Sequence, residues 1–174
     1  MKTVIVMRHG KSGRRAPQGG DHERPLTGRG RRAAELMGRY LSCLGGVPDI
    51  VVSSSAVRAR DTARIASEAG GWPGRVIIRK EIYRADPEAL IALVRGMGES
   101  HAGFVLVGHE PTCSGFIGKM VGGAPPRFPT AAMARIDVAC SSWRELRHGD
   151  GRLIWLVPPK ALLAFGRHRD LTRR

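Results

Sequence analysis

Short apolar runs alternate with longer segments of helical periodicity along most of the chain. Four runs are continuous and rich in β-branched residues, which predicts strands buried on both faces at positions 3–7, 49–53, 76–78 and 104–107. Between them, apolar residues recur at every third or fourth position, as on one face of a helix. This periodicity predicts a helix between Thr27 and Gly45, and further helices over 56–69, 86–97 and 111–121.

The order of these elements indicates the fold class. Strands that alternate with helices are typical of α/β proteins with a largely parallel sheet, so we expect a three-layer α/β/α sandwich. Near the end of the chain, segments 134–139 and 153–157 flank the turn-rich stretch His148-Gly149-Asp150-Gly151, which predicts an antiparallel hairpin at one edge of the sheet. We expect a single domain over 1–166 and a basic tail over 167–174.

The charge of the chain is large and unevenly distributed. Its 174 residues include 29 Lys and Arg against 15 Asp and Glu, a formal net charge of +14. Positions 8–39 contribute +6 of it and positions 158–174 contribute +4. A strongly basic surface attracts anionic partners, and nucleic acid is the first class to consider. Aromatic side chains, which stack on bases, make up only 5% of the chain, and this disfavours nucleic acid as the partner.

The sequence carries no pattern of membrane insertion or secretion. No apolar stretch reaches the length of a membrane span, and the N-terminal segment becomes charged too early for a signal peptide. Cys43, Cys113 and Cys140 are odd in number and widely spaced, which argues against a disulfide framework or a zinc site. We therefore expect a cytoplasmic protein without membrane contact. Its oligomeric state stays open.

Arginine and histidine residues follow three of the predicted strands. Arg8 and His9 come after the first strand, Arg58 follows the second, and His109 follows the fourth. Because parallel strands end at the same edge of a sheet, these side chains are expected to share one crevice. Two guanidinium groups repel each other unless an anion lies between them, and a phosphoryl group matches their geometry. A neutral imidazole beside them can attack phosphorus and form a phosphohistidine.

The motifs around these residues are similar to those of a known family. In chain order they are RHGKS, ERPLTGRG, SSSAVRARDTA, EIYRADPEALIALV and VGHEPT. By these motifs the chain resembles the histidine phosphatase superfamily, which is phosphoglycerate mutase-like, and within it the short SixA-type phosphohistidine phosphatases. The resemblance covers nearly the whole chain and implies the α/β sandwich fold.

The resemblance also implies roles for individual residues. His9 is the expected nucleophile, and the other members of the phosphate pocket are Arg8, Arg58 and His109. Ser12 falls where many family members place a further phosphate contact, and Arg24 is expected near the mouth of the pocket. Glu81 occupies the position of the proton donor in mutase-like members. Phosphohistidine chemistry of this kind requires no metal and no cofactor.

The expected activity is hydrolysis of a phosphoryl group through a covalent phosphohistidine on His9. Only about 20 residues join the third and fourth predicted strands, where longer members of the superfamily insert a lid. An open pocket is therefore expected, which suits phosphohistidine on a protein of the histidine phosphotransfer type.

Two alternatives stay open at this point. The first is a phosphatase or mutase for small phosphate esters, in which Glu81 would be essential as the proton donor. The second is of another class, a basic polyanion-binding module that has kept the fold and uses its surplus charge for binding.

Overall fold

A six-stranded sheet organises the part of the chain that the computed structural model describes, residues 1–16, 19–46 and 48–167. The strands are β1 (Lys2–Arg8), β2 (Ile50–Ser54), β3 (Arg75–Arg79), β4 (Gly103–Gly108), β5 (Met133–Val138) and β6 (Gly151–Val157). The helices are α1 (Gly28–Cys43), α2 (Val57–Gly70), α3 (Pro87–Arg95), α4 (Thr112–Val121) and α5 (Pro159–Arg167). Short 3₁₀ helices lie at Asp21–Glu23, Lys80–Arg84 and Trp143–Glu145.

The sheet has the strand order β3-β2-β4-β1-β5-β6. The first four strands in this order are parallel to one another, β5 is antiparallel to β1, and β6 is antiparallel to β5. The predicted α/β fold with a mainly parallel sheet and an antiparallel pair at one edge is therefore confirmed. Positions 139–150 join β5 to β6, so this pair is closed by a longer connection than a tight turn.

Helices cover both faces of the sheet because successive residues of a strand point to opposite sides. On one face, Ile5 of β1 belongs to a core that also contains Met37 of α1 and Ala63 of α2. On the other face, Val4 shares a core with residues of α3 and α4. Among the helices described, none combines the length and apolar character that crossing a membrane requires.

The parallel strands bring three chain segments to one edge of the sheet. β1 ends at Arg8, β2 at Ser54 and β4 at Gly108, and the register pairs Arg8 with Gly108 and Ser53 with Val107. The residues that follow these strands therefore meet at the carboxyl edge, as the sequence predicts for a ligand-binding crevice.

The C-terminal part of the described chain differs from the prediction. The helix α5 was not predicted; it is only nine residues long and begins at the second of two prolines, although positions 161–165 are apolar. Arg167, placed at the start of the tail by the sequence, is the last residue of α5, and positions 168–174 lie outside the described residues. The third predicted helix is also shorter, since α3 ends at Arg95.

The packing of α1 on α2 depends on a glycine. A Cβ atom at Gly38 would overlap the backbone carbonyl group of Ala66, so the two helices are in backbone contact at this point. Small residues such as Ala59 and Ala63 line the same face of α2 and are fully buried.

Replacing Gly38 by alanine should therefore destabilise the protein, although alanine is the better helix residue elsewhere. The added methyl group forces α1 away from α2, and we expect the free energy of unfolding to fall by about 1–3 kcal/mol. Denaturant unfolding followed by circular dichroism measures the change.

Gly98→Ala is the matched control, because its Cβ atom would lie 3.7 Å from Ser100 Oγ, an ordinary contact. It should change the unfolding free energy by less than about 0.5 kcal/mol. A Gly38→Ala variant as stable as the parent would contradict the backbone contact between the helices.

Candidate active site

The backbone at the end of β1 is held from several sides. The His9 amide donates to the Gly108 carbonyl oxygen at 3.0 Å, and the His9 carbonyl oxygen accepts from the Ala131 amide at 3.1 Å. Gly10 follows directly, and a Cβ atom there would lie 2.8 Å from the Gly30 carbonyl oxygen. The glycine of the RHG motif thus lets the first turn of α1 pack against the loop beside His9.

The His9 ring carries its proton on Nδ1. This atom lies 2.7 Å from the Gly10 carbonyl oxygen, which can only accept a hydrogen bond. Nε2 is therefore unprotonated, and it accepts a hydrogen bond from Arg58 Nε at 3.3 Å. Burial, reinforced by nearby arginine charges, lowers the pKa of His9 to about 4. At neutral pH the residue is an uncharged imidazole with a lone pair on Nε2, as a nucleophile requires.

Arg58 lies in the first turn of α2 and is 5% exposed. Its guanidinium group also donates from Nη1 to the Asp21 carbonyl oxygen at 2.6 Å and from Nη2 to the Asp21 carboxylate at 2.9 Å. One turn further along, Thr62 Oγ1 accepts from the Gly10 amide at 2.9 Å and donates to the Arg58 carbonyl oxygen at 2.6 Å. Thr62 therefore ties the start of α2 to the RHG loop.

His109 follows β4, and its ring centroid lies 5.1 Å from that of His9. Its Nε2 lies 2.8 Å from Ser54 Oγ. Ser54 Oγ accepts from the Ala56 amide at 3.3 Å, and when it donates its own proton to His109 Nε2, the ring proton of His109 is on Nδ1. His109 Nδ1 is buried without a partner among the described residues and can donate to an oxyanion. Burial, followed by the charges of His9 and Arg58, lowers the pKa of His109 to about 3.

Two further arginines contribute positive charge around the imidazoles. Arg8 Nη1 donates to the Phe128 carbonyl oxygen at 2.8 Å, and Arg8 Nε is buried with no partner in the described part of the chain. Arg24 Nη2 lies 2.6 Å from Asp21 Oδ1. Both arginine charges lower the pKa of His9, so both act on the site electrostatically. Cationic donors around neutral imidazoles suit an anion with several oxygens.

Asp21 and Tyr83 belong to this site, although the sequence motifs do not single them out. Tyr83 Oη donates to Asp21 Oδ2 at 2.9 Å, and the Tyr83 ring centroid lies 5.7 Å from that of His109. Both residues come from short 3₁₀ helices, which leave no periodicity in the sequence. The available signal was their position, since Tyr83 lies within EIYRAD and Asp21 lies just before ERPLTGRG.

These two residues also change the expectation of an open pocket. The connection from β3 to β4 holds no inserted lid beyond its 3₁₀ helix and α3. Even so, His9 is only 8% exposed and His109 only 9%, because the loop before α1 and the Tyr83 ring approach the crevice. The two imidazole rings are therefore less exposed than the length of that connection suggested.

Across the part of the chain that the structure describes, no hydrogen bond links the Ser12 or Glu81 side chain to His9, Arg58 or His109. Ser12 forms a backbone bridge with Leu26, and its hydroxyl makes no hydrogen bond within the described residues. Glu81 is exposed and lines a surface groove of about 330 Å³ with Arg79 and residues of α3. The 3₁₀ helix directs the neighbouring Ile82, which is 2% exposed, into the core.

The site has the donor set of an anion site. The guanidinium groups of Arg8, Arg24 and Arg58 supply cationic N–H donors, and the Asp21 carboxylate is already engaged by Arg24, Arg58 and Tyr83. Within residues 1–16, 19–46 and 48–167, no three His, Cys, Asp or Glu side chains are grouped to hold a metal ion.

Comparison with known proteins points to one family. The model of the histidine phosphatase superfamily, branch 1, matches residues 4–83. An uncharacterized protein of Mycobacterium tuberculosis is 33% identical over 165 residues, covering 88% of this chain and 100% of the relative. The structure of the protein histidine phosphatase SixA complexed with tungstate has a TM-score of 0.80 at 24% identity, covering 92% of this chain and 99% of that chain. A structure assigned as phosphohistidine phosphatase SixA from Agrobacterium tumefaciens has a TM-score of 0.78 at 27% identity, covering 91% and 98%.

The chain therefore belongs to the histidine phosphatase superfamily, and its enzyme class is that of a phosphatase. Within the superfamily it is of the SixA type, as the sequence motifs implied.

Acid should destabilise the native state through the two buried histidines. Both have an ordinary pKa of 6.5 when unfolded, whereas in the folded protein the pKa of His9 is about 4 and that of His109 is about 3. The stability contributed by keeping them neutral is present above pH 6.5 and is lost as the pH falls towards 4. Lowering the pH from 7 to 5 should cost about 2 kcal/mol of unfolding free energy for each histidine.

Denaturant unfolding of the parent and of His109→Asn at both pH values measures this effect. The variant should lose less stability than the parent over the same interval, by about 2 kcal/mol. Equal losses would contradict the neutral, desolvated state of His109.

Proposed function

We propose that the protein hydrolyses phosphohistidine on another protein through a covalent intermediate on His9. The observation that carries the proposal is the unprotonated His9 Nε2, which faces Arg58 Nε at 3.3 Å while Nδ1 donates to Gly10. The similarity to two structures described as SixA histidine phosphatases supports the same substrate class.

In the first step, His9 Nε2 forms a bond to phosphorus while the bond between phosphorus and the substrate nitrogen breaks. The substrate imidazole departs with the bonding electron pair and, because its other nitrogen is protonated, leaves as a neutral ring. Arg8, Arg58 and the Nδ1–H of His109 donate to the phosphoryl oxygens, where negative charge must be stabilised in the transition state.

In the second step, a water oxygen forms a bond to phosphorus and the bond from phosphorus to His9 Nε2 breaks. The attacking water releases its proton to solvent, and inorganic phosphate leaves. The Gly10 carbonyl oxygen holds the proton of His9 Nδ1 in both steps, so His9 returns as a neutral imidazole.

The position of Glu81 favours a nitrogen leaving group over an alkoxide. An alkoxide must be protonated by an acid within reach of the scissile bond. Glu81 is exposed, and in the described part of the chain no hydrogen bond links it to His9, Arg58 or His109. A neutral imidazole departs without such an acid, which supports phosphohistidine over a phosphate ester as substrate.

A cluster of exposed basic side chains lies beside the crevice and indicates the kind of partner. We define the basic rim as Lys11, Arg14, Arg15, Arg29 and Arg32. The loop that follows His9 packs against the first turn of α1 through Gly10 and Gly30, which brings the two parts of the rim together. No ion pair to these five side chains occurs within the described residues. Such a surface attracts an acidic protein surface, so we propose a phosphoprotein partner with acidic residues around its phosphohistidine.

Replacing His9 by alanine should remove turnover and leave the fold intact, because no other group can accept the phosphoryl group. Turnover should fall by about 1000-fold or more. A panel of phosphohistidine protein, phosphoramidate and p-nitrophenyl phosphate measures it, with the phosphoenzyme trapped without acid because a phosphoimidazole is acid-labile. His148→Ala, an exposed histidine, is the control and should retain activity.

The parent should form a base-stable, acid-labile phosphoenzyme and should hydrolyse the phosphohistidine protein faster than the ester. Full activity in a folded His9→Ala variant would contradict the mechanism. Faster ester turnover would contradict the substrate class and favour a small-ester phosphatase.

Reversing the charge of two arginines of the basic rim should lower kcat/KM for a protein substrate but not for a small one. In Arg29→Glu/Arg32→Glu, kcat/KM for the phosphohistidine protein should fall about tenfold at low salt, and the loss should shrink as salt increases. Turnover of p-nitrophenyl phosphate should not change, because the phosphate pocket is intact.

Arg75→Glu/Arg152→Glu makes the same change of charge at two exposed arginines away from the crevice. They lie where β3 and β6 begin, at the end of the sheet opposite to the carboxyl ends of the parallel strands. This control should have little effect on either substrate. Equal losses in the two double variants would show that net charge, and not the basic rim, attracts the partner.

A further inference from the structure

The short 3₁₀ helix before α1 places a carboxylate directly on the phosphate-binding arginine. We propose that Asp21 is a positioning residue that holds the Arg58 guanidinium group in the orientation that phosphoryl transfer requires. This inference rests on the proposed chemistry at His9, and it adds a residue that lies outside the RHG and GHE motifs.

The first argument is the geometry of the guanidinium group. Arg58 has five N–H groups in one plane, and three of them have partners. Nε points to His9 Nε2 at 3.3 Å, while Nη1 and Nη2 are both held by Asp21, at 2.6 and 2.9 Å. Because the group is planar, fixing both Nη atoms also fixes the direction of Nε. The two remaining N–H groups can donate to phosphoryl oxygens without displacing Asp21.

The second argument is that Asp21 is itself held in place. Its Oδ1 accepts from Arg24 Nη2 at 2.6 Å, and its Oδ2 accepts from Tyr83 Oη at 2.9 Å. Burial acts to raise the pKa of Asp21, but the hydrogen bonds from Tyr83 and Arg58 outweigh it and the net pKa is lowered. Asp21 is therefore an anchored anion, although its side chain is 54% exposed.

The third argument is the contrast in burial between the two partners. Arg58 is 5% exposed, and the charges of Arg8 and Arg24 act on the same His9 ring that Arg58 contacts. A buried guanidinium group repelled by Arg8 and Arg24 needs an anion when the phosphoryl group is absent. Asp21 supplies that anion from one side and leaves the side towards His9 available.

Asp21 could instead block the site by occupying the phosphate position, and this role predicts a different result from that of orienting Arg58. If Asp21 occupied the phosphate position, its removal would tighten the binding of every oxyanion. If Asp21 orients Arg58, its removal weakens the binding of a transition-state analogue much more than that of a ground-state anion. Vanadate, which adopts the five-coordinate geometry of the transition state, and inorganic phosphate are suitable probes of the two states.

The experiment compares Asp21→Asn and Asp21→Ala with the parent, using p-nitrophenyl phosphate turnover and inhibition by vanadate and by inorganic phosphate. We expect kcat and vanadate affinity to fall together by about tenfold to hundredfold, with phosphate affinity and KM within about fivefold of the parent. Asp21→Asn keeps an oxygen acceptor and should lose less than Asp21→Ala.

Glu23→Gln is the matched control, because it removes one negative charge from the same 3₁₀ helix and its carboxylate contacts only His22 among the described residues. It should behave as the parent. Tyr83→Phe removes one donor to Asp21 without changing the loop, and it should shift kcat and vanadate affinity in the same direction by a smaller factor.

Unchanged kinetics in both Asp21 variants would overturn the proposal. Tighter binding of both oxyanions would overturn it in favour of a blocking role, and equal weakening of both, with a lowered Tm, would overturn it in favour of a purely structural role. The result can be told apart from a failure of the proposed function, because that proposal is tested separately, by the activity of His9→Ala, by the phosphoenzyme and by the comparison of phosphohistidine with ester turnover.

Discussion

The hydrogen bond from His9 Nδ1 to the Gly10 carbonyl oxygen is the interaction on which the rest of the site depends. This hydrogen bond keeps the lone pair of the ring on Nε2. Its geometry depends on the position of the Gly10 backbone, which neighbouring residues hold in place. Thr62 binds the Gly10 amide from α2, and the backbone of Gly30 packs against Gly10 from α1. Both helices that cover this face of the sheet therefore contribute to the orientation of one imidazole ring.

The second constraint is electrostatic. Burial keeps His9 and His109 neutral, with pKa values of about 4 and 3, so the arginines provide the positive charge of the crevice. Mutual repulsion between buried guanidinium groups is offset by the Asp21 carboxylate on one side and would be offset by a phosphoryl group on the other. A site with this balance is suited to hold a dianion briefly and release it as phosphate.

Much of this arrangement could be predicted from local pattern. The continuous apolar runs located the parallel strands, and the rule that their carboxyl ends meet predicted that His9, Arg58 and His109 lie together. The less regular parts escaped prediction. Tyr83 and Asp21 lie on 3₁₀ helices too short to show a period, and α5 is a nine-residue helix that begins at the second of two prolines.

The sequence by itself determined the fold class and the family, and it predicted which histidines and arginines meet at one crevice, because these depend on periodicity and on motifs of contiguous residues. Only the tertiary structure decided which atoms face one another. It turned Glu81 outward, placed a tyrosine ring beside His109 and set the Asp21 carboxylate on Arg58. Such choices depend on contacts between residues far apart in the chain, 37 positions for Asp21 and Arg58 and 62 for Asp21 and Tyr83, and no local pattern in the chain encodes them.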